Sequence, residues 1–179
     1  MALTEVTLDS DSLTFNAAHL LTFSGPVSST GEAESVTVEP LHGHDFRVRV
    51  SLLGPLNDDK TVIDFIAFRE ILLALLLEFH HKTLLPRRNP FLTITTQGKN
   101  RIIKVAHKSQ AGKTWSLPRT DSLLLPVVNV TTEELAMLLA KRLFKSLVDR
   151  NLLPHPDKDY WLTLELEESP GCSACVAVP

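Results

Sequence analysis

The sequence predicts a single α+β domain in which two helices pack on one face of an antiparallel sheet. Three observations lead to this fold class. Several segments alternate apolar and polar residues, two segments repeat apolar residues with helical spacing, and each helical segment opens with a capping signal. The chain has 179 residues, which is enough for one domain with a substantial core. No linker divides it, so residues 1–179 are expected to form one domain.

The first half of the chain contains two predicted strands and one helix. Residues 12–19 and 44–53 alternate apolar and polar side chains, as half-buried strands do, and the polar stretch 24–35 between them reads as a loop. Asp64 is placed to cap a helix over about 65–80, in which apolar residues recur at helical spacing.

The second half is expected to hold one helix and further strands. A capping box, Thr131-x-x-Glu134, opens a helix that runs to about Arg150. The other predicted elements are a hairpin over 90–107, a strand over 160–168 and a short last strand over 172–178. Residues 108–126 are consistent with more hairpin or with loop.

Composition excludes several classes of protein. Lysine and arginine total 18 against 21 aspartate and glutamate, a formal charge of −3, so no basic surface for nucleic acid or an anionic membrane is expected. The longest apolar run, 71–77, is far shorter than the ~20 residues of a membrane span. The N-terminus has no signal-peptide pattern, which predicts a cytoplasmic protein. Cys172 and Cys175 are the only cysteines, too few for a disulfide-rich module or a cysteine-built zinc ribbon.

Three histidines are predicted to face the interior on adjacent strands. His42 and His44 share the parity of the apolar residues that follow them, and His19 shares the parity of the apolar residues before it. Three neutral imidazoles with an open fourth position describe a catalytic zinc site. The alternative is a set of histidines that are hydrogen-bonded in a core or at its rim.

Two further positions stand out. Glu168 continues the inward phase of the last long strand, where a carboxylate could anchor a planar ligand with adjacent N–H donors. Alternatively, the strand has already ended and Glu168 lies in solvent. His80 and His81 end the first helix, about 100° apart around its axis, so only one is expected to face a site on the sheet.

Taken together, these residues resemble the 6-pyruvoyltetrahydropterin synthase / 6-carboxytetrahydropterin synthase family. The matching stretches follow the family's order from about residue 12 to 170: 15–19 (FNAAH), 41–46 (LHGHDF), 62–65 (VIDF), 81–85 (HKTLL), 129–133 (NVTTE) and 167–169 (EES). The resemblance implies the T-fold, with subunits closing into a barrel. It also implies a homo-oligomer, a tetramer or a hexamer, with active sites between subunits.

The resemblance also implies roles for individual residues. These are zinc ligation by His19, His42 and His44, pterin anchoring by Glu168, proton transfer by His81, and lining of the pterin pocket by Thr131 and Glu133. Zn²⁺ is the implied cofactor and a small-molecule pterin is the implied substrate.

Two departures from the family pattern bear on activity, and an insertion accompanies them. Val38 stands where the family's catalytic cysteine is common, and Glu39 follows it, as in a variant branch that uses a glutamate. A buried carboxylate can act as a general base. His80 replaces the aspartate that would orient His81, and residues 87–127 form an insertion.

The resemblance therefore implies a zinc-dependent synthase or lyase acting on 7,8-dihydroneopterin triphosphate or a related dihydropterin. It would remove or rearrange the side chain in pterin or folate-type biosynthesis, with a 6-hydroxymethyl product in the glutamate branch. One alternative is a 6-carboxytetrahydropterin synthase of deazapurine biosynthesis, against which the missing cysteine argues. The other is a zinc-containing protein that binds pterin without turning it over.

Overall fold

The computed structural model describes residues 2–153 and 160–179. Within these residues the α-helices are α1 (Phe65–Leu77) and α2 (Thr132–Asp149). The strands, in chain order, are β1 (Leu3–His19), β2 (Thr22–Ser24), β3 (Val36–Val38), β4 (His42–Pro55), β5 (Lys82–Pro86), β6 (Leu92–Gln97), β7 (Asn100–Val105), β8 (Thr114–Pro118), β9 (Ser122–Leu125), β10 (Trp161–Ser169) and β11 (Cys172–Val178). The α+β class predicted from the sequence is confirmed.

The main sheet is mixed rather than purely antiparallel. It has six strands in the order β11-β10-β4-β1-β5-β9. β10 is antiparallel to both β4 and β11, whereas β5 runs parallel to β1 and β9 runs parallel to β5. The parallel strands were not predicted, because 82–86 (KTLLP) is short and lacks the period-two alternation of a half-buried strand.

The chain divides into two compact units. The helical unit comprises residues 1–16, 44–80 and 132–179. Its core is built from alternating side chains of β4 and β10, with Phe46, Val48 and Leu164 fully buried. The rings of Phe15 and Phe46 stack with centroids 4.9 Å apart. α2 packs against β10, β11 and α1, and most of the apolar residues predicted to face the core are buried, although Phe65 at the start of α1 is 49% exposed.

Helix α1 confirms its predicted cap and corrects its predicted end. The Asp64 carboxylate accepts a hydrogen bond from the Ile66 backbone N–H at 2.9 Å. The helix ends at Leu77 rather than near His80, and turns replace its last predicted residues. His81 has φ of 57°, in the left-handed region, which stops the helical hydrogen-bond pattern from continuing.

The hairpin unit comprises residues 17–43 and 81–131. The predicted hairpin over 90–107 is confirmed as β6 and β7, to which β8 adds a third antiparallel strand. Gly98 begins the tight turn with φ of 58°, the sign that a type II′ hairpin turn requires at its first central position. The buried side chains that hold this unit together are Leu20, Val36, Val38, Leu85, Leu92, Ile103 and Val105.

Candidate active site

Two of the predicted metal ligands lie in direct contact. His19 is the last residue of β1 and is completely buried, as its strand phase predicts. His42 is the first residue of β4 and is half-buried. The Nε2 atoms of the two rings are 3.1 Å apart, and the ring centroids are 4.6 Å apart.

The protonation of these two rings follows from their other nitrogens. The Nδ1 atom of His19 lies 2.8 Å from the Val130 carbonyl oxygen, and the Nδ1 atom of His42 lies 2.7 Å from that of Pro40. A carbonyl oxygen can only accept, so each Nδ1 carries the proton, and in a neutral ring the lone pair is on Nε2. Two lone pairs facing each other at 3.1 Å repel unless a cation joins them.

The donor geometry fits a metal ion. Two nitrogen ligands on a tetrahedral zinc ion are roughly 3.3 Å apart, given Zn–N distances of about 2.0–2.1 Å. Metal-ligating histidines also commonly donate their second N–H to a carbonyl oxygen, as both rings do here, which fixes the ring orientation. The 3.1 Å contact between His19 and His42 is close to the spacing that such an ion imposes.

A second pair joins His44 to Glu168. The Nε2 atom of His44 lies 3.3 Å from Glu168 Oε1, and the two side chains are 24% and 21% exposed. The other carboxylate oxygen, Oε2, accepts a hydrogen bond from the Thr132 hydroxyl at 2.5 Å. Glu168 therefore does not point freely into solvent, and the alternative of a strand that has already ended is wrong.

A β-bulge places Glu168. In the pairing of β10 with β11, Glu167 faces Ser173 and Ser169 faces Cys172, so the register shifts across Glu168. A bulge adds a residue to one strand and re-aims side chains. The bulge thus re-aims the side chain at the end of a regular strand, where Glu168 becomes a candidate site residue.

Together these side chains form a group that could hold a metal ion. His19, His42, His44 and Glu168 each offer one ligand atom to it. Three imidazole nitrogens and one carboxylate oxygen form a donor set suited to a divalent ion such as zinc, copper, nickel or iron. The sequence predicted the three histidines as metal ligands and Glu168 as an anchor for a planar ligand, and did not predict that the carboxylate would join the histidines in one group.

The other predicted site residues are not members of this group. Glu39 is half-buried and follows β3, where its backbone N–H donates to the Leu21 carbonyl oxygen at 2.9 Å. Thr131, half-buried, directly precedes α2, and Glu133 is exposed in its first turn. His81 is exposed and lies in the turn between α1 and β5.

His80 makes a contact with β1. Its Nδ1 atom accepts a hydrogen bond from the Asn16 backbone N–H at 3.2 Å. The Asn16 side chain in turn donates to the Asp45 carboxylate. The expectation that only one of the two histidines would face the sheet left open which it was, and this hydrogen bond brings His80 to β1.

Thr132 was missed by sequence reasoning. It is only 9% exposed, and its hydroxyl contacts the Glu168 carboxylate 36 positions away. The sequence signal that could have indicated Thr132 was the capping box. A residue beside the start of a helix can direct its side chain away from solvent. That signal pointed to Thr131 and could not distinguish two adjacent threonines.

A comparison with known families matches residues 10–177 to the family model described as 6-pyruvoyl tetrahydropterin synthase. This chain belongs to the 6-pyruvoyl tetrahydropterin synthase family. The resemblance predicted from the sequence motifs is confirmed, and it covers nearly the whole chain.

Proteins named as two kinds of pterin synthase are similar to this chain. A Methanocaldococcus jannaschii protein, provisionally named 6-carboxy-5,6,7,8-tetrahydropterin synthase, is 28% identical over 167 residues, covering 91% of this chain and 88% of its own. Solved structures of 6-pyruvoyltetrahydropterin synthase from Plasmodium vivax and Plasmodium falciparum are each 24% identical, with TM-scores of 0.83 and 0.82. Each covers 99% of both chains, so the T-fold predicted for the subunit is confirmed.

The Plasmodium vivax structure is a form in which a catalytic glutamate is changed to alanine. In the described part of this family member, neither helix is long and apolar enough to span a membrane.

Proposed function

We propose that this protein is a zinc-dependent pterin lyase or synthase acting on 7,8-dihydroneopterin triphosphate or a related dihydropterin. The observation that carries the proposal is the contact between His19 and His42, whose Nε2 lone pairs face each other because both Nδ1 atoms donate to carbonyl oxygens. Family membership supplies the class of substrate.

His19, His42 and His44 would hold the ion. When bound, zinc supplies a Lewis acid that lowers the pKa of a hydroxyl group beside it. The burial of His19 and the carbonyl partners of the first two rings keep these ligands oriented, so little reorganisation is needed when substrate arrives.

Glu168 would anchor the pterin ring. A carboxylate accepts two adjacent N–H bonds side by side, which is the pattern that a 2-amino-4-oxo pterin presents. The Thr132 hydroxyl holds Oε2, and Oε1 faces His44. With one oxygen fixed by a buried donor, the carboxylate has a defined orientation toward a planar ligand.

Glu39 would act as the general base. It lies three residues before His42, is half-buried, and follows Val38, which is 3% exposed. The matched Plasmodium vivax enzyme has a catalytic glutamate, which supports a carboxylate in this role. Glu39 would take the proton of the hydroxyl on the second side-chain carbon. The bond between this carbon and the first would then break, the outer fragment would leave as an aldehyde that keeps the triphosphate, and a proton returned to the first carbon would complete a 6-hydroxymethyl dihydropterin.

The remaining assignments extend this proposal. His81 would move protons, and Thr131 and Glu133 would line the pterin pocket. The protein would act in the cytoplasm as a homo-oligomer, a tetramer or a hexamer with active sites between subunits, in pterin or folate-type biosynthesis.

A second candidate is formation of 6-carboxytetrahydropterin. The Methanocaldococcus jannaschii relative favours it, since that protein is provisionally named for this activity. The chain's two cysteines weaken it, because Cys172 and Cys175 are exposed on β11 and no cysteine stands near His42.

Product analysis distinguishes these candidates. Zinc-loaded protein incubated with 7,8-dihydroneopterin triphosphate should give 6-hydroxymethyl dihydropterin by mass spectrometry, and a carboxy or pyruvoyl product would favour the second candidate instead. A variant tests the role of Glu39 directly. Glu39→Gln should lower turnover about 10²–10⁴-fold, the range for loss of a general base. Glu32→Gln, which changes an exposed glutamate in the preceding loop, is the matched control. Tight pterin binding without any turnover would identify a binding protein.

A further inference from the structure

Three cationic side chains line one cavity of the hairpin unit. Lys99, Arg101 and Arg119 surround a space of about 640 Å³ at the end of the three-stranded sheet β6-β7-β8. No carboxylate is among the residues that line it. The cavity lies in the 87–127 insertion, for which the proposed function gives no role.

The backbone fixes these three residues relative to one another. Lys99 is in the tight turn that Gly98 begins, and Arg101 pairs with Leu117 in the β7–β8 register. The backbone N–H of Arg119 donates to the Lys99 carbonyl oxygen at 2.9 Å. Strand pairing and this hydrogen bond therefore hold the backbones of the three cationic residues at one edge of the sheet.

The charges of this cluster are uncompensated. Among the residues that the structure describes, neither Arg101 nor Arg119 forms an ion pair, and the Nε atom of Arg101 is buried without a hydrogen-bond partner. Burial, and secondly the nearby Arg119 charge, lower the pKa of the Arg101 guanidinium from its usual value. The nearest acidic side chain in sequence, Asp121, accepts from the Thr120 hydroxyl at 2.8 Å.

Further positive charge lies beside this cluster. The ammonium group of Lys82 donates to the Thr120 carbonyl oxygen at 2.6 Å, and Thr120 is one of the cavity residues. Guanidinium groups bind the oxygens of phosphate with paired N–H donors, so two neighbouring arginines without acidic partners suit such a ligand.

We propose that Lys99, Arg101 and Arg119 form a binding site for the phosphate groups of a polyphosphate chain. A single phosphate would bind between Arg101 and Arg119, and the space of about 640 Å³ accommodates a chain of several phosphates. The ligand is either the triphosphate of the pterin substrate, an assignment that rests on the proposed function, or a separate phosphate compound, for which the site stands alone.

Direct binding of tripolyphosphate to the full-length protein tests this site. Calorimetry at low ionic strength should detect binding to the wild type, and Arg101→Gln or Arg119→Gln should weaken it about tenfold or more. Lys104→Gln is the matched control. Lys104 lies on the same strand as Arg101 and is exposed on its opposite face, and its substitution removes one positive charge, as Arg101→Gln does. Arg119 is exposed, so its variant remains informative if Arg101→Gln fails to fold.

The outcomes separate this site from the proposed function. Tripolyphosphate binding by a His42→Ala variant at wild-type affinity supports a site independent of the metal centre. Equal binding by all variants, or equal weakening by Lys104→Gln, overturns the proposal. Affinities for 7,8-dihydroneopterin with and without its triphosphate then identify the source. If Arg101→Gln weakens only the phosphorylated form, the site holds the substrate's triphosphate, and if it weakens neither while tripolyphosphate binding falls, the ligand is separate.

Discussion

The Nε2 atoms of His19 and His42 lie 3.1 Å apart, and each ring is held by a hydrogen bond from Nδ1 to a backbone carbonyl oxygen. These hydrogen bonds fix the tautomer of both rings, so the two lone pairs converge on one point. Family membership indicates the class of chemistry, and this contact identifies two ring nitrogens that could hold a cation.

Replacing His42 with alanine should remove most of the bound metal. We expect the affinity for Zn²⁺ to fall by on the order of tenfold or more, because one of the converging lone pairs is lost. Excess zinc should raise the unfolding midpoint of the wild type, since a ligand at 100 times its Kd stabilises by about 2.7 kcal/mol, whereas a tenfold weaker His42→Ala variant at the same zinc concentration would gain only about 1.4 kcal/mol. Metal analysis after dialysis and thermal unfolding with and without a chelator measure both effects.

The control for this variant is His107→Ala. His107 lies outside the histidine group, and its Nε2 atom is 3.1 Å from the Ala33 carbonyl oxygen. The His107→Ala variant should therefore keep its bound zinc. Equal zinc loss in both variants would contradict the assignment of the site.

Replacing Thr132 with valine should weaken pterin binding. The change keeps the side-chain shape but removes the hydroxyl that donates to Glu168 at 2.5 Å. A hydrogen bond to a charged group contributes about 1.5–3 kcal/mol, so roughly a tenfold or larger loss of affinity is expected. Thr132→Ser keeps the donor and should bind nearly as the wild type does. Fluorescence titration with a pterin measures both, and similar losses in the two variants would argue for a packing role instead.

Tyr160 should ionise at unusually high pH in the folded protein. It is the only tyrosine of the chain, is 2% exposed, and its hydroxyl has no hydrogen-bond partner within the described residues. Burial raises its pKa above the ordinary value of 10.0. Absorbance titration should therefore show tyrosinate at higher pH in the native protein than in urea, and coincident titrations would refute this.

The same group makes stability depend on alkaline pH. Because the folded-state pKa is raised, the contribution of Tyr160 is complete below pH 10 and is lost as the pH rises through the folded-state value. Tyr160→Phe should remove this part of the alkaline loss. Since the hydroxyl has no partner in the described structure, the variant should change the free energy of unfolding at pH 7 by no more than about 1 kcal/mol.

The predictable features of this fold are those encoded by neighbouring residues. The alternation along 44–53 predicted a strand, and the Asp64 cap predicted the start of α1. β5 escaped prediction because it is buried and short, and its direction depends on the path that the chain takes after α1. The end of α1 was misplaced because apolar spacing continues to Phe79 after the backbone has left the helix.

The sequence by itself predicted the family and the α+β class. Side-chain phase along a strand, which is a local property, also singled out His19, His42 and His44 as candidate metal ligands and Glu168 as a candidate ligand anchor. Only the tertiary structure decided which atoms meet: the carbonyl partners of His19 and His42, the choice of Thr132 over Thr131 as the donor to Glu168, and the uncompensated charges of Arg101 and Arg119. The physical reason is that each such contact joins residues on different elements, so it depends on register, bulges and packing that no local pattern encodes.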